Sequence, residues 1–544
     1  FGTGGLRGIM GAGTSRMNIY NIRKATTAMA LYLKEVHENK DDIKVAISYD
    51  SRNRSDEFAK AATEVLNYHG IRVIITKEMR PVPVLSYMIR HYNCDAGICV
   101  TASHNPPEYN GFKVYWANGG QLVPPHDRNI ISKYLSLTSY EDLSFLPYKQ
   151  GLAKEHIIEV SEELDQAYLR QLSKLRLNPP KNSNEIKIAY SPLHGTGVTM
   201  VPKALELFGF TDYHLVEEQA TPDGDFPTVP SPNPEDPKAL VKAIELGEKI
   251  DADIILATDP DTDRIAVIVR ENGELINFNG NQLGCLLMEY VLSSHKRNRS
   301  LPDNPLVVKT IVTTTLQNEI CDYYGVDCED TLTGFKWICD LVEQYTTGKL
   351  GTKKTFVCGG EESYGFLAGN FVRDKDAVMA CAIACEMVAF YKSNGQKMSD
   401  VLDIIYKRHG VYHEILYTLT LPGKEGADKI NSIVNRFRKN PPLYLCGIKV
   451  HEIWDLFSSK KFEISGNQQI EKSMINLPSS NVLQFFLDDG SKISVRPSGT
   501  EPKIKFYISV KKHLKRDDDI ELKKREARML ASNLEKEFVA LSDQ

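Results

Sequence analysis

One phrase occurs three times in this chain, and it constrains the fold more than any other feature. An apolar strand is expected at Ile43–Ser48, at Ile186–Tyr190 and at Leu306–Ile311, each followed by a helical stretch that ends at a glycine. The breaks read His69-Gly70-Ile71, Phe208-Gly209-Phe210 and Tyr324-Gly325-Val326, with Gly where a helix terminates in the left-handed region. A further strand then comes each time, at Ala96–Val100, Ala252–Ala257 and Lys354–Val357. Short, nearly uninterrupted apolar strands alternating with helices predict mainly parallel sheets covered on both faces. The chain therefore reads as three tandem, topologically similar α/β domains, expected at 1–155, 156–297 and 298–411.

Residues 412–544 break the pattern. An amphipathic stretch runs through Arg436–Lys439, Pro441-Pro442 interrupts it, and alternating strands follow. Gln484–Asp488, the Asp489-Gly490 turn and Lys492–Val495 predict a hairpin, and Lys503–Val510 a further strand before a charged terminal helix. This is expected to be a smaller C-terminal α+β domain. The count of four fits a chain of 544 residues at roughly 150 residues per domain. The linker Asn178–Asn184 and the Pro-rich stretch Thr221–Pro237 read as surface loops.

Composition narrows the function. With 42% hydrophobic and 25% charged residues the chain is globular, and its formal charge of −5 argues against a nucleic-acid-coating protein. The longest apolar runs, such as Asp253–Ala257, are strand-sized, so no membrane insertion is expected. Ten cysteines make no C-x-x-C pair and read as buried thiols of a reducing compartment, the cytoplasm. The chain opens on Phe1 inside a glycine-rich motif, and a native segment is expected to precede it.

In open α/β sheets ligands bind beyond the carboxyl ends of strands. Here three equivalent strand ends carry three polar loops: Thr101–Pro106, Thr258–Arg264 and Gly359–Gly365. Asp259, Asp261 and Asp263 alternate, so in an extended segment they point the same way and can converge on one hard cation. An EF-hand is excluded, because Arg264 and Arg270 stand where that loop needs Gly and Glu. Few carboxylates with open coordination positions suit Mg²⁺ shared with a phosphate oxygen; a solvated acidic turn is the plainer alternative.

In Thr101-Ala-Ser103-His104-Asn105-Pro106 a hydroxyl stands beside an imidazole, without the G-x-S-x-G setting of a hydrolase nucleophile. Ser103 can hold a phosphoryl group if a metal and cations offset the charge, or can simply satisfy a turn. Arg496, Ser498, Gly499 and Thr500 have the composition of a phosphate clamp, a guanidinium fork beside a glycine-rich nest, though a plain β-turn has the same residues. Glu361 and Ser363, between glycines, can bond sugar hydroxyls, and Lys336 offers another cation. Gly2–Gly8 matches neither a dinucleotide fingerprint nor a P-loop.

Together these motifs resemble the α-D-phosphohexomutases, the phosphoglucomutase and phosphomannomutase superfamily. The resemblance rests on Gly4–Gly8, Thr101–Pro106 with Asn110–Lys113, Asp259–Arg264, Gly360–Gly365 and Arg496–Thr500, in that order along essentially the whole chain. Ser191–Gly197 and Tyr109–Tyr115 are most similar to the phosphoglucomutase-2 and phosphopentomutase branch and to similar bacterial phosphoglucomutases. The resemblance implies four domains around one cleft. It implies Ser103 carried as phosphoserine and Mg²⁺ held by Asp259, Asp261, Asp263 and a phosphoserine oxygen. It implies Arg264 next to the phosphoryl group, and Arg7, His104 and Lys113 as candidates for proton transfer and charge stabilisation. Glu361 and Ser363 would hold the sugar, Lys336 would contact ligand, and Arg496, Ser498, Gly499 and Thr500 would clamp the non-reacting phosphate.

The expected reaction is transfer of phosphate between C1 and C6 of a hexose phosphate, of glucose and also of mannose, through a bisphosphorylated sugar with glucose 1,6-bisphosphate as primer. A base at Lys113 or Arg7 requires a depressed pKa. The expected partners are small sugar phosphates, with the chain a monomer or homodimer. Three alternatives stay open: a phosphopentomutase or glucose 1,6-bisphosphate synthase of the same fold, an aspartyl-phosphate enzyme using Asp259, and a non-catalytic sugar-phosphate sensor.

Overall fold

A computed structural model describes residues 5–140, 143–182, 185–421, 423–466, 468–498 and 503–543. The chain forms two compact units, Phe1–Lys309 with Gly334–Met398, and Thr310–Thr333 with Ser399–Gln544. The first unit holds the expected repeat.

The strands of the first α/β sheet are β1 (Leu6–Ile9), β2 (Lys44–Tyr49), β3 (Arg72–Thr76), β4 (Ala96–Val100), β5 (Tyr109–Trp116) and β6 (Ile157–Val160), in the order β1-β5-β4-β2-β3-β6. β4, β2, β3 and β6 are parallel, whereas β5 runs antiparallel to β4 and β1 antiparallel to β5. The second sheet contains β7 (Ile188–Ser191), β8 (Tyr213–Leu215), β9 (Ile254–Thr258), β10 (Ile265–Glu271) and β11 (Glu274–Asn277), in the order β11-β10-β9-β7-β8. Again β9, β7 and β8 are parallel and β10 turns back against β9. The third repeat begins at β12 (Pro305–Thr310). β13 (Asp327–Thr331) falls in the second unit, after which β14 (Thr355–Glu361) pairs parallel with β12 and β15 (Gly365–Ala368) antiparallel with β14.

The repeat is thus mixed, mostly parallel, with one consistent exception. In every copy the strand that ends in a polar loop (β4, β9, β14) is followed by an antiparallel partner (β5, β10, β15). The polar loop is a hairpin connection, short and pinned at both ends, rather than a crossover. β4 and β9 are buried along their whole length, as strands covered on both faces must be. The helix-ending glycines behave as expected: Gly70, Gly209 and Gly325 have φ of +76°, +94° and +69°.

The second unit contains β16 (Val411–Thr420), β17 (Tyr444–Leu445), β18 (Ile448–Asp455), β19 (Lys460–Ser465), β20 (Gln468–Met474), β21 (Leu483–Leu487), β22 (Lys492–Pro497) and β23 (Lys503–Lys512). They form an antiparallel sheet in the order β16-β23-β22-β21-β18-β19-β20, with β17 against β18. The expected hairpin is β21–β22, turning at Gly490 with φ +85°. Phe437 and Phe485 pack with Phe538 of the terminal helix Ile520–Asp543, ring centroids 5.3 and 5.7 Å from its ring.

One expectation fails. The Pro-rich stretch Thr221–Pro237 is not merely a surface loop: Phe226 is 0% exposed and forms a small core with Leu193, Val229 and Ala239. Most of the cysteines are buried. Among the described residues no helix is long and apolar enough to cross a membrane.

Candidate active site

The loop after β4 carries Ser103 at 2% exposure and φ +53°, a left-handed conformation uncommon for a residue with a Cβ. Its backbone N–H donates to Thr101 Oγ1 at 2.8 Å. Its hydroxyl donates to Asp259 Oδ2 at 2.8 Å and lies 3.1 Å from His104 Nδ1. β5 supplies the next residue: in the β4–β5 register Lys113 faces Cys99, and its Nζ reaches Asp261 Oδ2 at 2.7 Å. The close approach of β5 needs Gly111, where an added Cβ would stand 2.3 Å from the Thr101 carbonyl oxygen.

The loop after β9 is organised around Asp259. Its Oδ1 accepts the backbone N–H groups of Asp263 at 3.0 Å and Arg264 at 3.1 Å, while Thr262 takes φ +57°. The Ser191–Gly197 motif is its support. Thr196 bonds the Pro260 carbonyl through both N–H and Oγ1 at 2.8 Å, and a Cβ on Gly195 would stand 2.3 Å from Pro260 Cα.

Asp259, Asp261 and Asp263 are buried, with one ligand oxygen from each within 4.8 Å of the others. Asp261 Oδ1 and Asp263 Oδ1 are buried without a hydrogen-bond partner among the described residues. Burial, then the charges of Asp263 and Asp261, pushes the Asp259 carboxyl well above the usual carboxylate range. Burial acts the same way on Asp263, but Lys375, Lys113 and Arg264 outweigh it and hold that carboxyl below its usual range. A dry, acceptor-rich cluster of this kind fits a hard divalent cation.

Burial, with Arg264 and Arg7 nearby, pushes His104 well below its usual value, so its imidazole is neutral. The depressed lysine expected of a base is not found at Lys113. Burial favours its neutral amine, but Asp261 and Asp263 outweigh that and keep the ammonium charged. Arg7, on β1 opposite Gly111, bonds Asn105 Oδ1 at 2.9 Å. Arg264 is paired with Glu235 of the Pro-rich stretch and lies 3.7 Å from Asp263 Oδ1.

The third loop comes to the same unit. Glu361 Oε1 accepts the Gly334 N–H at 2.9 Å, and its charge acts on Arg264 and Lys375. Ser363 is half-buried in the same turn. Lys336 is buried, its Nζ 3.6 Å from Asp127, and burial lowers its pKa. In the second unit Arg496 closes β22 opposite Lys505, and the Ser498 N–H donates to the Lys503 carbonyl at 2.7 Å. Gly499 and Thr500 lie outside the described residues.

Three residues escape the motif reading. Lys375 Nζ is 3.1 Å from Asp263 Oδ2; four consecutive charges, Arg373–Asp376, ahead of an apolar helix were its signal. Glu235 is hidden in a stretch whose prolines read only as a loop. Arg52, two residues beyond Asp50 at the end of β2, is 3% exposed and bonds the backbone of the serine loop.

Comparison with known proteins agrees with this arrangement. Residues 1–141, 166–273 and 279–409 match the phosphoglucomutase/phosphomannomutase alpha/beta/alpha domains I, II and III. The chain is 37% identical to a phosphoglucomutase of Staphylococcus epidermidis over 511 residues, 94% of this chain and 90% of that one. It is 36% identical to a phosphoglucomutase of Staphylococcus aureus over 513 residues, 94% and 89% of the two chains. Its fold is shared with pp63/parafusin, a phosphoglucomutase from Paramecium in its open form, at TM-score 0.70 and 17% identity over 100% of this chain and 95% of that one. A phosphoglucomutase/phosphomannomutase family protein of Burkholderia thailandensis has the same fold at TM-score 0.67 and 17% identity, covering 99% and 96%. With three family domains in order and such identity along nearly its whole length, the chain belongs to the phosphoglucomutase/phosphomannomutase family and is a phosphohexomutase, an isomerase.

Proposed function

We propose that this phosphohexomutase interconverts glucose 1-phosphate and glucose 6-phosphate, carrying the phosphoryl group on Ser103. The observation that supports this most is the Ser103 hydroxyl seated 2.8 Å from Asp259, at the edge of the three-carboxylate cluster and beside a neutral His104. Phosphoryl transfer asks the protein for positioning and charge stabilisation rather than covalent work, and this site is built of both.

In the proposed cycle a sugar hydroxyl attacks phosphorus as the P–Oγ bond of Ser103 breaks. The hydroxyl proton is relayed to Oγ by His104 Nδ1, which lies 3.1 Å from that oxygen. The resulting glucose 1,6-bisphosphate, which also primes the enzyme, turns over and returns its other phosphate to Ser103. Lys113, Arg7 and Arg264 are cations for the transferring group, and Lys375 joins them on the strength of its contact with Asp263. Mg²⁺, held by Asp259, Asp261, Asp263 and a phosphoserine oxygen, would neutralise charge on the phosphoryl oxygens. Glu361, Ser363 and Lys336 are assigned to the sugar, and Arg496, Ser498, Gly499 and Thr500 to the non-reacting phosphate.

The test is conversion of glucose 1-phosphate and, in parallel, mannose 1-phosphate, each with Mg²⁺ and catalytic glucose 1,6-bisphosphate. Turnover of glucose 1-phosphate that vanishes in Ser103→Ala is expected. A larger rate with mannose 1-phosphate would reassign the sugar, and turnover that survives in the variant would reject Ser103 as carrier.

A further inference from the structure

The serine loop is held from one side by a single guanidinium. Arg52 Nη2 donates to the carbonyl of Ser103 at 2.6 Å and to that of Asn105. Its Nη1 donates to the carbonyls of Pro106 at 2.9 Å and Tyr109 at 3.0 Å. Three carbonyls of the loop and the first carbonyl of β5 therefore converge on one rigid fork, and that loop contains the left-handed Ser103.

The fork is itself fixed. Asp50 lies 3.5 Å from Arg52 Nε, and its Oδ1 accepts both the Arg52 N–H at 3.0 Å and the Ser55 hydroxyl at 2.8 Å. On another side Phe226 places its ring centroid 4.9 Å from the guanidinium carbon. The Pro-rich stretch is docked there: a Cβ on Gly224 would stand 2.3 Å from Asn53 N, and Asp225 accepts from Asn53 Nδ2 at 2.6 Å. Burial pulls the guanidinium pKa down, yet Asp50 opposes this and the group remains a cation. A buried charge that spends its hydrogen bonds on loop carbonyls is costly to keep unless the loop geometry matters.

We infer that Arg52 is a positioning residue for phosphoryl transfer, setting the backbone of the serine loop so that Ser103 Oγ faces Asp259 and His104. Arg52 touches neither the serine side chain nor the carboxylate cluster through any described bond; it acts through the carbonyl of the serine itself and those of residues that follow it. Lysine cannot replace it, because one ammonium cannot serve four carbonyls in a planar fork. This inference rests on Ser103 being the phosphoryl carrier.

The experiment uses full-length enzyme with Mg²⁺. In Arg52→Lys, kcat for glucose 1-phosphate is expected to fall ~100-fold, the effect of a misplacement near 1 Å. KM should stay within about threefold, because no ligand contact changes, while the melting temperature falls by only a few degrees, since lysine keeps the buried charge beside Asp50. Phosphorylation of Ser103 by glucose 1,6-bisphosphate, followed by mass spectrometry, should slow by the same factor. A wild-type kcat overturns the inference, as does a joint loss of kcat, KM and thermal stability, which would make Arg52 merely a fold residue. If the lysine variant does not fold, Asp50→Asn takes its place. It can keep the bonds to Ser55 and the Arg52 N–H but removes the charge that aims the guanidinium. Its kcat should fall ~10-fold at constant KM, and an unchanged kcat overturns the inference. If wild-type Ser103 never becomes phosphorylated, the function proposed above fails first and this inference with it. Normal wild-type phosphorylation with an equally fast lysine variant sinks this inference alone.

Discussion

The serine loop and the aspartate loop occupy the same position in two copies of one repeat, and one is stiffened by a buried donor, the other by a buried acceptor. After β4 the inward-facing backbone groups are carbonyls, and a buried cation, Arg52, gathers four of them. After β9 they are amides, and a buried carboxyl group, that of Asp259, takes two of them on one oxygen. Each arrangement satisfies groups that would otherwise be orphaned in a dry interior. The difference also divides the labour. The loop held by a cation from the turn after β2 keeps its own hydroxyl turned toward Asp259. The loop held by its own carboxyl group leaves Asp261 Oδ1 and Asp263 Oδ1 without a hydrogen-bond partner among the described residues, available to a metal.

The largest test asks which loop carries the phosphoryl group. Ser103→Ala should lose at least ~10⁴-fold in kcat, as removal of a nucleophile does elsewhere. A variant that retains a few per cent of activity, with a phosphate traced to Asp259, would break the comparison by moving the carrier to the other loop. Next in size, Asp261→Asn should weaken activation by Mg²⁺ by ~100-fold or more, read as the concentration giving half-maximal rate. Chelation should abolish wild-type turnover and added Mg²⁺ restore it. An unchanged Mg²⁺ requirement in the variant would remove the aspartate loop's assigned role.

The glycines sharpen the comparison at the level of packing. Gly111→Ala sets a Cβ against the Thr101 carbonyl, and Gly195→Ala sets one against Pro260, each at 2.3 Å from backbone atoms that cannot swing aside. Each should lower unfolding stability by roughly 1–3 kcal/mol in urea melts. Equal losses would mean the two loops are equally rigid, and a neutral alanine at either site would mark that loop as the softer one.

The smallest effect concerns another buried carboxyl group. Asp376 Oδ1 accepts the Met379 N–H at 2.9 Å and Oδ2 accepts the Tyr168 hydroxyl at 2.6 Å, while burial raises the carboxyl to about 6. The folded chain therefore holds a proton that the unfolded chain releases near pH 4, so this group's contribution favours folding at low pH and declines as pH rises from about 4 to about 6. The melting temperature of the wild type relative to Asp376→Asn should therefore fall as pH rises through that window. An identical pH profile would mean that Asp376 is ionised throughout.

Much of this was legible in the chain itself. The three strand–helix–glycine phrases predicted the repeat, because helix ends and buried strands are written in local residue types. The alternation of Asp259, Asp261 and Asp263 predicted a cluster of carboxylates, and the three are buried with one oxygen from each within 4.8 Å of the others. What stayed hidden was long-range. The strand–helix alternation predicts the mainly parallel part of each sheet, whereas the antiparallel strands β5, β10 and β15 leave no local mark of their direction. The prolines of Thr221–Pro237 predict only a surface loop, since nothing nearby in sequence says that Phe226 meets Arg52 or that Glu235 meets Arg264.

The sequence by itself determined the family, the repeat and the chemical inventory: a serine beside a histidine, three alternating acids, a glycine-flanked arginine. Only the tertiary structure decided how these groups act on one another. Ser103 and Asp259 are 156 residues apart yet share a hydrogen bond, and Lys113 is kept charged by carboxylates 148 and more residues away. Hydrophobic period and turn residues act over a few positions, so the chain spells them out. Burial and charge act through space, and a lysine or a histidine acquires its protonation state only when folding has chosen its neighbours.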